Sequence, residues 1–309
     1  MKKFISLLLC LASLLSCAAC GGQAAVDPTV TQAQTKTAET TAEAPAVTTA
    51  AEPETTAAQA AEPEEPVLLY QAHRGVSTDF PENTLPAFQG AIDQGYKFIE
   101  LDPNFTLDQQ CVLMHDSTIN RTCRNADGSS LGDAAIALGS IAYADLLKLD
   151  AGLFKGEQFK GTKVPLLSEV AELVEGTGVA LKLDNKIQNY TDEQLEIIFT
   201  LAENSKADIG FTCKDIGFVT RVAERLPGVT IHYDGPIAPV VLKKLAPIAE
   251  THELYIWVGI NNANETICDM VKEVGHLGIW TLSTDEQLEK AIALGAEVIE
   301  TNGELKPAK

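Results

Sequence analysis

Basic residues are scarce in this chain of 309: 23 lysines and arginines face 43 aspartates and glutamates, for a formal net charge of -20 at pH 7. So acidic a composition argues against a nucleic-acid partner, because binding a phosphate backbone needs clustered lysine and arginine. Residues 21–66 carry eight acidic residues against one lysine, so part of the imbalance belongs to a solvated tail. Cysteine chemistry is sparse as well. Beyond the N-terminal leader only Cys111, Cys123, Cys213 and Cys268 remain. They show neither CxxC spacing nor histidine pairing, which speaks against zinc, and they read as small buried hydrophobes. The leucine-rich run near the N terminus falls short of the roughly 20 apolar residues that a membrane-crossing helix requires. No glycine-rich nucleotide loop follows the first strand-like run, which weighs against the alternative of an open, doubly wound sheet.

What is present divides the chain into three. Residues 1–20 carry two lysines, a leucine-rich core and then small residues, the pattern of a secretory signal. That segment ends in cysteine, and both Leu14-Leu15-Ser16-Cys17 and Cys17-Ala18-Ala19-Cys20 fit a bacterial lipobox. The expectation is an exported protein held to the outer face of the cell membrane by lipid on Cys17 or Cys20. Residues 21–66, rich in Ala, Thr, Glu and Pro with almost no large apolar side chains, cannot offset folding entropy by burial and read as a disordered tether. Residues 67–309 form the folded domain.

That domain alternates short apolar runs with amphipathic stretches of helix length, the signature of a parallel sheet closed as a (β/α)8 barrel. Nine strand candidates compete for eight places: Val67–Ala72, Lys97–Leu101, Cys111–Met114, Val179–Leu183, Ala207–Cys213, Val229–Tyr233, Leu254–Ile260, Leu277–Leu282 and Glu297–Thr301. Cys111–Met114 is the suspect, since only a short polar connection precedes it. Asn125–Thr162 is too long for a βα loop and reads as a small insertion after the third strand.

Barrel active sites lie at the C-terminal ends of the strands. His73 ends the first candidate strand, Glu100 and Asp102 the second, His115 the third, and Asp184 with Lys186 the fourth. Glu-x-Asp alternation puts two carboxylates on one face, where they repel unless a hard cation such as calcium or magnesium lies between them. His232 and Asp234 also fall at a strand end, either beside a ligand or as a locally bonded polar pair.

His73-Arg74-Gly75, Pro81-Glu82-Asn83-Thr84, Glu100-x-Asp102, Thr106-x-Asp108 and His115-Asp116 with Arg121-Thr122 occur in this order. With Leu149-Asp150-Ala151-Gly152, Val164-Pro165-Leu166-Leu167-Ser168-Glu169 and Trp280-Thr281, the set resembles the glycerophosphodiester phosphodiesterase family from about Leu69 to Asn302. The resemblance implies a TIM barrel of the phospholipase-C-like phosphodiesterase type. It implies one divalent cation, Ca2+ or Mg2+, on Glu100, Asp102 and Asp184, with His73 and His115 as general base and acid. It implies phosphate contacts from Arg74 and Lys186, and Trp280 against the glycerol or leaving group. The substrate would be a small glycerophosphodiester, cut to sn-glycerol 3-phosphate and an alcohol, with no protein partner. Three departures stand out, one of them Pro103-Asn104 after Asp102, where the family more often has a hydrophobic then a polar residue. Asp184-Asn185-Lys186 replaces the family's usual Glu-Ile-Lys, and Thr301-Asn302, preceded by Glu300, replaces its usual Thr-Asp. A non-catalytic barrel that binds such ligands and a phospholipase acting on intact lipid remain as other readings.

Overall fold

Strands and helices alternate through residues 67–308, the part of the chain that the computed structural model describes. The signal and tether expected at 1–66 lie outside the described residues. The strands are β1 (Leu69–His73), β2 (Phe98–Leu101), β3 (Pro103–Phe105), β4 (Cys111–Leu113), β5 (Ala180–Leu183), β6 (Ile209–Cys213), β7 (Ile231–Tyr233), β8 (Leu254–Gly259), β9 (His276–Leu282) and β10 (Val298–Thr301). The helices are α1 (Leu85–Asp93), α2 (Tyr143–Leu146), α3 (Leu167–Val174), α4 (Asp192–Asn204), α5 (Ile216–Arg225), α6 (Pro239–Ala249), α7 (Glu265–Lys272) and α8 (Asp285–Ala293). Eight strands close a barrel in the order β1-β10-β9-β8-β7-β6-β5-β2, and each recorded neighbour is parallel. This is the expected (β/α)8 barrel.

The surplus ninth candidate resolves as a hairpin. β3 and β4 pair antiparallel outside the barrel, from Pro103↔Leu113 to Phe105↔Cys111. Adding a parallel strand needs a crossover of about a dozen residues or more, usually a helix. The connection after β2 has no room for one, so the chain turns back on itself. His115 therefore reaches the barrel mouth from the hairpin, and Asp184 ends the third barrel strand. The insertion follows the hairpin, between the second and third barrel strands. It has its own apolar cluster around Val112, Met114, Ile119, Cys123, Leu138 and Leu146. Asp150 ties its glycine-rich turns by accepting from the amides of Gly152 and Leu153, both at 2.8 Å, and of Gly161.

Period-two alternation sorts the barrel side chains. Ile99, Leu101, Leu181, Leu183, Phe211, Ile231, Ile256, Ile279 and Ile299 join the core shared with the helices. Phe98, Ala180, Tyr255, Trp257 and Val298 form a separate cluster with Leu69 inside the barrel. The same inward faces also carry buried polar groups, Gln71, Glu100, Lys182, Thr212, His232 and Glu300. The four cysteines are free and buried, as their apolar settings suggest. Burial pushes the Cys123 thiol up to about 11.

The loop after β1 is set by sterics. Gly75 has φ 77°, and a Cβ there would stand 2.7 Å from the Ala87 carbonyl carbon, so only glycine lets the loop close onto α1. Val76 N–H donates to Ala87 O at 3.2 Å across that contact.

Candidate active site

The carboxylates come together first. Pairing of β2 with β5 sets Glu100 opposite Lys182 and Leu101 opposite Leu183, which brings Asp102 and Asp184 out at neighbouring strand ends. One carboxylate oxygen each of Glu100, Asp102 and Asp184 lies within 4.8 Å of the others. The electrostatic consequence is large at Glu100. Burial, then repulsion from Asp102, Asp184 and Glu300, hold its carboxyl well above the usual range, against the pull of Lys182. Hard oxygen donors at this spacing fit a divalent cation such as calcium or magnesium. Asp184 reaches the cluster despite its shorter side chain. Its Oδ1 also accepts from Lys186 N–H at 3.0 Å, capping the short 3-10 turn Asn185–Asn189.

Polar groups brace these acids. Arg74, at φ 59°, adopts a left-handed conformation uncommon for its type and thereby aims its amide at Glu100 Oε2, 3.0 Å away. Its guanidinium donates through Nη1 to Glu82 Oε1 at 3.0 Å, while Nε stands 3.4 Å from Asp102 Oδ2, a charge contact without hydrogen-bond alignment. Asn83 donates to Asp102 Oδ2 at 2.7 Å and accepts from its amide at 3.1 Å. Lys186 donates to Asp102 Oδ1 at 2.7 Å and to His115 O at 3.0 Å. Both expected phosphate ligands thus face the cavity while leaning on carboxylates.

The two histidines have different partners. His73 Nδ1 lies 2.7 Å from Asn302 Oδ1. An amide oxygen only accepts, so Nδ1 donates this bond and Nε2 is left facing the acidic cluster, 3.9 Å from Glu100 Oε2. His115 Nδ1 lies 2.8 Å from Asp116 Oδ1. Arg121 donates from Nε to Asp116 Oδ2 at 2.6 Å and from its two terminal nitrogens to Glu82 at 2.7 and 2.8 Å. The Arg121 hydrogen bond brings Asp116 down to about 2, against some burial. Burial opposes ionisation of Glu82, yet Arg121 and Arg74 outweigh it and hold that carboxyl at about 2 as well. Glu82 thus joins Arg74 on one side to His115 on the other.

All eight residues nominated from sequence, His73, Arg74, Glu100, Asp102, His115, Asp184, Lys186 and Trp280, line one cavity of about 360 Å³ at the barrel mouth. Trp280 is 39% exposed there, so it is a mouth residue and not core packing. Of the His232–Asp234 pair, Asp234 lines the cavity but His232 is turned into the barrel. It accepts from Trp257 Nε1 at 3.1 Å and stacks on Tyr255. Burial, with Lys182 nearby, pushes its pKa well down. Sequence reasoning passed over Lys182, Thr212 and Lys214, and left Glu300 unplaced. Lys182 and Glu300 form a buried ion pair at 3.4 Å, and Thr281 donates to Glu300 at 2.9 Å. Burial raises the Glu300 pKa, but Lys182, His73 and these hydrogen bonds leave it below the ordinary value. The available signal was alternation: Lys182 precedes Asp184 by two, and Glu300 precedes Asn302 by two, on the same inward faces.

Acids for a cation, imidazoles for protons and two cations for an anionic group, gathered at the C-terminal mouth of a closed parallel barrel, define a TIM-barrel enzyme of phosphoric diester chemistry. The sequence profile of the Glycerophosphoryl diester phosphodiesterase family matches residues 73–241, more than half of the chain. The chain belongs to that family. A relative from Caldanaerobacter subterraneus subsp. tengcongensis, a glycerophosphodiester phosphodiesterase, is 29% identical over 250 residues, covering 76% of this chain and 93% of its own. Among solved structures, a glycerophosphoryl diester phosphodiesterase from Parabacteroides distasonis matches with a TM-score of 0.62 at 19% identity, over 77% of this chain and 84% of that one. A phosphodiesterase from Oleispira antarctica, solved with its product sn-glycerol-3-phosphate, matches with a TM-score of 0.64 at 19% identity, over 77% and 94%. At such identities the two structures speak for the fold.

Proposed function

We propose that this enzyme hydrolyses glycerophosphodiesters to sn-glycerol 3-phosphate and an alcohol, with one Ca2+ or Mg2+ on Glu100, Asp102 and Asp184 and with His73 and His115 moving the protons. The observation that carries the reading is the contrast between the histidines. An amide carbonyl holds His73 through Nδ1 and leaves Nε2 toward the acidic cluster, the orientation a general base needs. An ionised carboxylate instead holds His115 through Nδ1 and fixes that ring for proton delivery. The product bound in the Oleispira antarctica relative is consistent with the proposed product.

In the reaction, His73 Nε2 takes a proton from the attacking hydroxyl, either water or a neighbouring substrate hydroxyl, as its oxygen bonds to phosphorus. His115 delivers a proton to the departing alcohol oxygen as the other P–O bond breaks, and Asp116 holds its ring in place. The bound cation would supply charge stabilisation for the phosphoryl oxygens. Arg74 and Lys186 add positive charge beside the same oxygens once substrate competes with Asp102 and Glu82 for their donors. Trp280 offers an apolar face at the mouth to the glycerol or the leaving group.

The test is to give the purified protein a panel of glycerophosphodiesters with calcium, magnesium or chelator and to assay glycerol 3-phosphate. Turnover with a divalent cation and its loss on chelation are expected; no product under any metal would sink the reading. We also infer export and a lipid anchor on Cys17 or Cys20, supported by the sequence alone. Mass spectrometry of the mature N terminus would find a lipidated cysteine, and an unmodified N terminus would refute the anchor.

A further inference from the structure

One stretch of the cavity wall, built from β5, β6 and β7, is polar in a way that neither proton transfer nor cation binding requires. Lys182 and Thr212 line it from neighbouring strands, and Asp234 lines it just after the third. Thr212 is 2% exposed, and its buried hydroxyl has no partner in the protein although it borders the cavity. Folded proteins leave few such groups, and an orphan hydroxyl at a binding cavity points to a partner supplied from outside. Lys182 is similarly under-used. Its ammonium has three N–H groups but one acceptor, Glu300 Oε2 at a long 3.4 Å, with the Trp257 ring face 3.6 Å below. Asp234 receives one weak donor, Asn185 Nδ2 at 3.4 Å.

The wall therefore offers a spare donor, a hydroxyl that can give or take, and a spare acceptor. Adjacent hydroxyls need that mixture, since each gives one hydrogen bond and can take two. A quaternary ammonium group would find the opposite. It has nothing to donate, it would meet the charges of Lys182 and Lys214, and Trp280 is the one exposed aromatic ring at this cavity where several would be wanted.

We propose that Lys182, Thr212 and Asp234 form a hydroxyl-binding subsite that takes a vicinal diol of the substrate. The proposal rests on the hydrolase reading above, and the diol can belong to the glycerol half or to a polyol alcohol half. The subsite is read out with the full chain as wild type, Thr212→Val and Thr212→Ser. Steady-state kinetics on glycerophosphoglycerol, with diols in both halves, and on glycerophosphocholine, with a diol only in the glycerol half, separate the two sources. Thr212→Val should lower kcat/KM roughly tenfold, the scale of one hydrogen bond lost to substrate, and Thr212→Ser should restore most of it. Loss on both substrates assigns the wall to the glycerol half, and loss confined to glycerophosphoglycerol assigns it to the alcohol half. Unchanged kcat/KM on both overturns the proposal. Because the hydroxyl has no protein partner, Thr212→Val should melt no lower than wild type. A lowered Tm with loss on every substrate would make the residue structural and overturn the subsite too. If wild type turns over neither compound, the hydrolase reading fails on its own. Calorimetric binding of the unhydrolysed glycerophosphoglycerol, with a diol in both halves, then decides: weaker binding to Thr212→Val keeps the wall, and equal or absent binding removes it.

Discussion

Replacing Glu82 by glutamine would cut the charged link between Arg74 and the His115 arm of the site. In the folded protein the Glu82 carboxyl is pulled from 4.5 to about 2. At about 1.4 kcal/mol per pKa unit, that difference amounts to roughly 3 kcal/mol of stability at neutral pH, an upper bound because a glutamine keeps some of the hydrogen bonds. Screening takes little of it, since the side chain is 16% exposed. The sign follows from a depressed carboxyl value. The contribution is fully present above about 4.5, fades as pH falls, and is gone below about 2. Asp116 shares Arg121 with Glu82 and titrates over an overlapping range, so the difference reads the Glu82 carboxylate together with the change it makes at Asp116. Urea unfolding of wild type and Glu82→Gln across this range should show the variant weaker by about 2–3 kcal/mol near neutrality, with the gap closing in acid. A gap that stayed constant down to the acid end would mean that lost packing, and not the carboxylate charge, set the stability, and the argument would fall. Turnover should drop as well, because Arg121 and Asp116 lose the anchor that orients His115.

Four other outcomes are expected. His73→Ala and His115→Ala should each lower kcat by about 100-fold to 10,000-fold in the glycerol 3-phosphate assay, whereas a loss of only a few-fold would take that residue out of proton transfer. Asp184→Ala should weaken metal binding measured by titration calorimetry, and an unchanged titration would place the third ligand elsewhere. Lys182→Met alone should cost about 3–5 kcal/mol in chemical denaturation by stranding Glu300, while Lys182→Met with Glu300→Leu should recover much of that; equal losses would show that the buried pair is not coupled. Gly75→Ala should lower Tm by several degrees through its positive φ and its collision with Ala87, and an unaltered Tm would contradict that account of the loop.

Much of the site was legible because barrel chemistry sits within two residues of a strand end. Glu100-x-Asp102, His73 and Asp184-x-Lys186 could be placed at strand ends from the apolar runs alone, and all of them line the cavity. The hairpin was less legible. Phe105 is buried and packs edge-on against Tyr190, but PNFTLDQQ has too few apolar residues to announce a strand. Lys182 was passed over because a lysine inside an apolar strand carries no local sign of its partner, which is Glu300, 118 residues away. Nor could Asn302 be read as more than a departure from the family's aspartate until it was seen to hold His73 across 229 residues of sequence.

By itself, the sequence determined the alternation that makes a parallel barrel, the acidic and imidazole residues at its strand ends, and the family. Those are local properties, set by which side chains can be buried at period two and which must cap a strand. Only the tertiary structure decided who meets whom. Closing β1 against β10 put an amide beside His73, folding back β4 carried His115, already next to Asp116 in sequence, to the barrel mouth, and the β2–β5 register drew three acids into one cluster. The protonation partners and the spare hydrogen-bonding groups of the wall follow from that closure, because hydrogen bonds and charge pairs act across space over a few ångströms, whatever the separation along the chain.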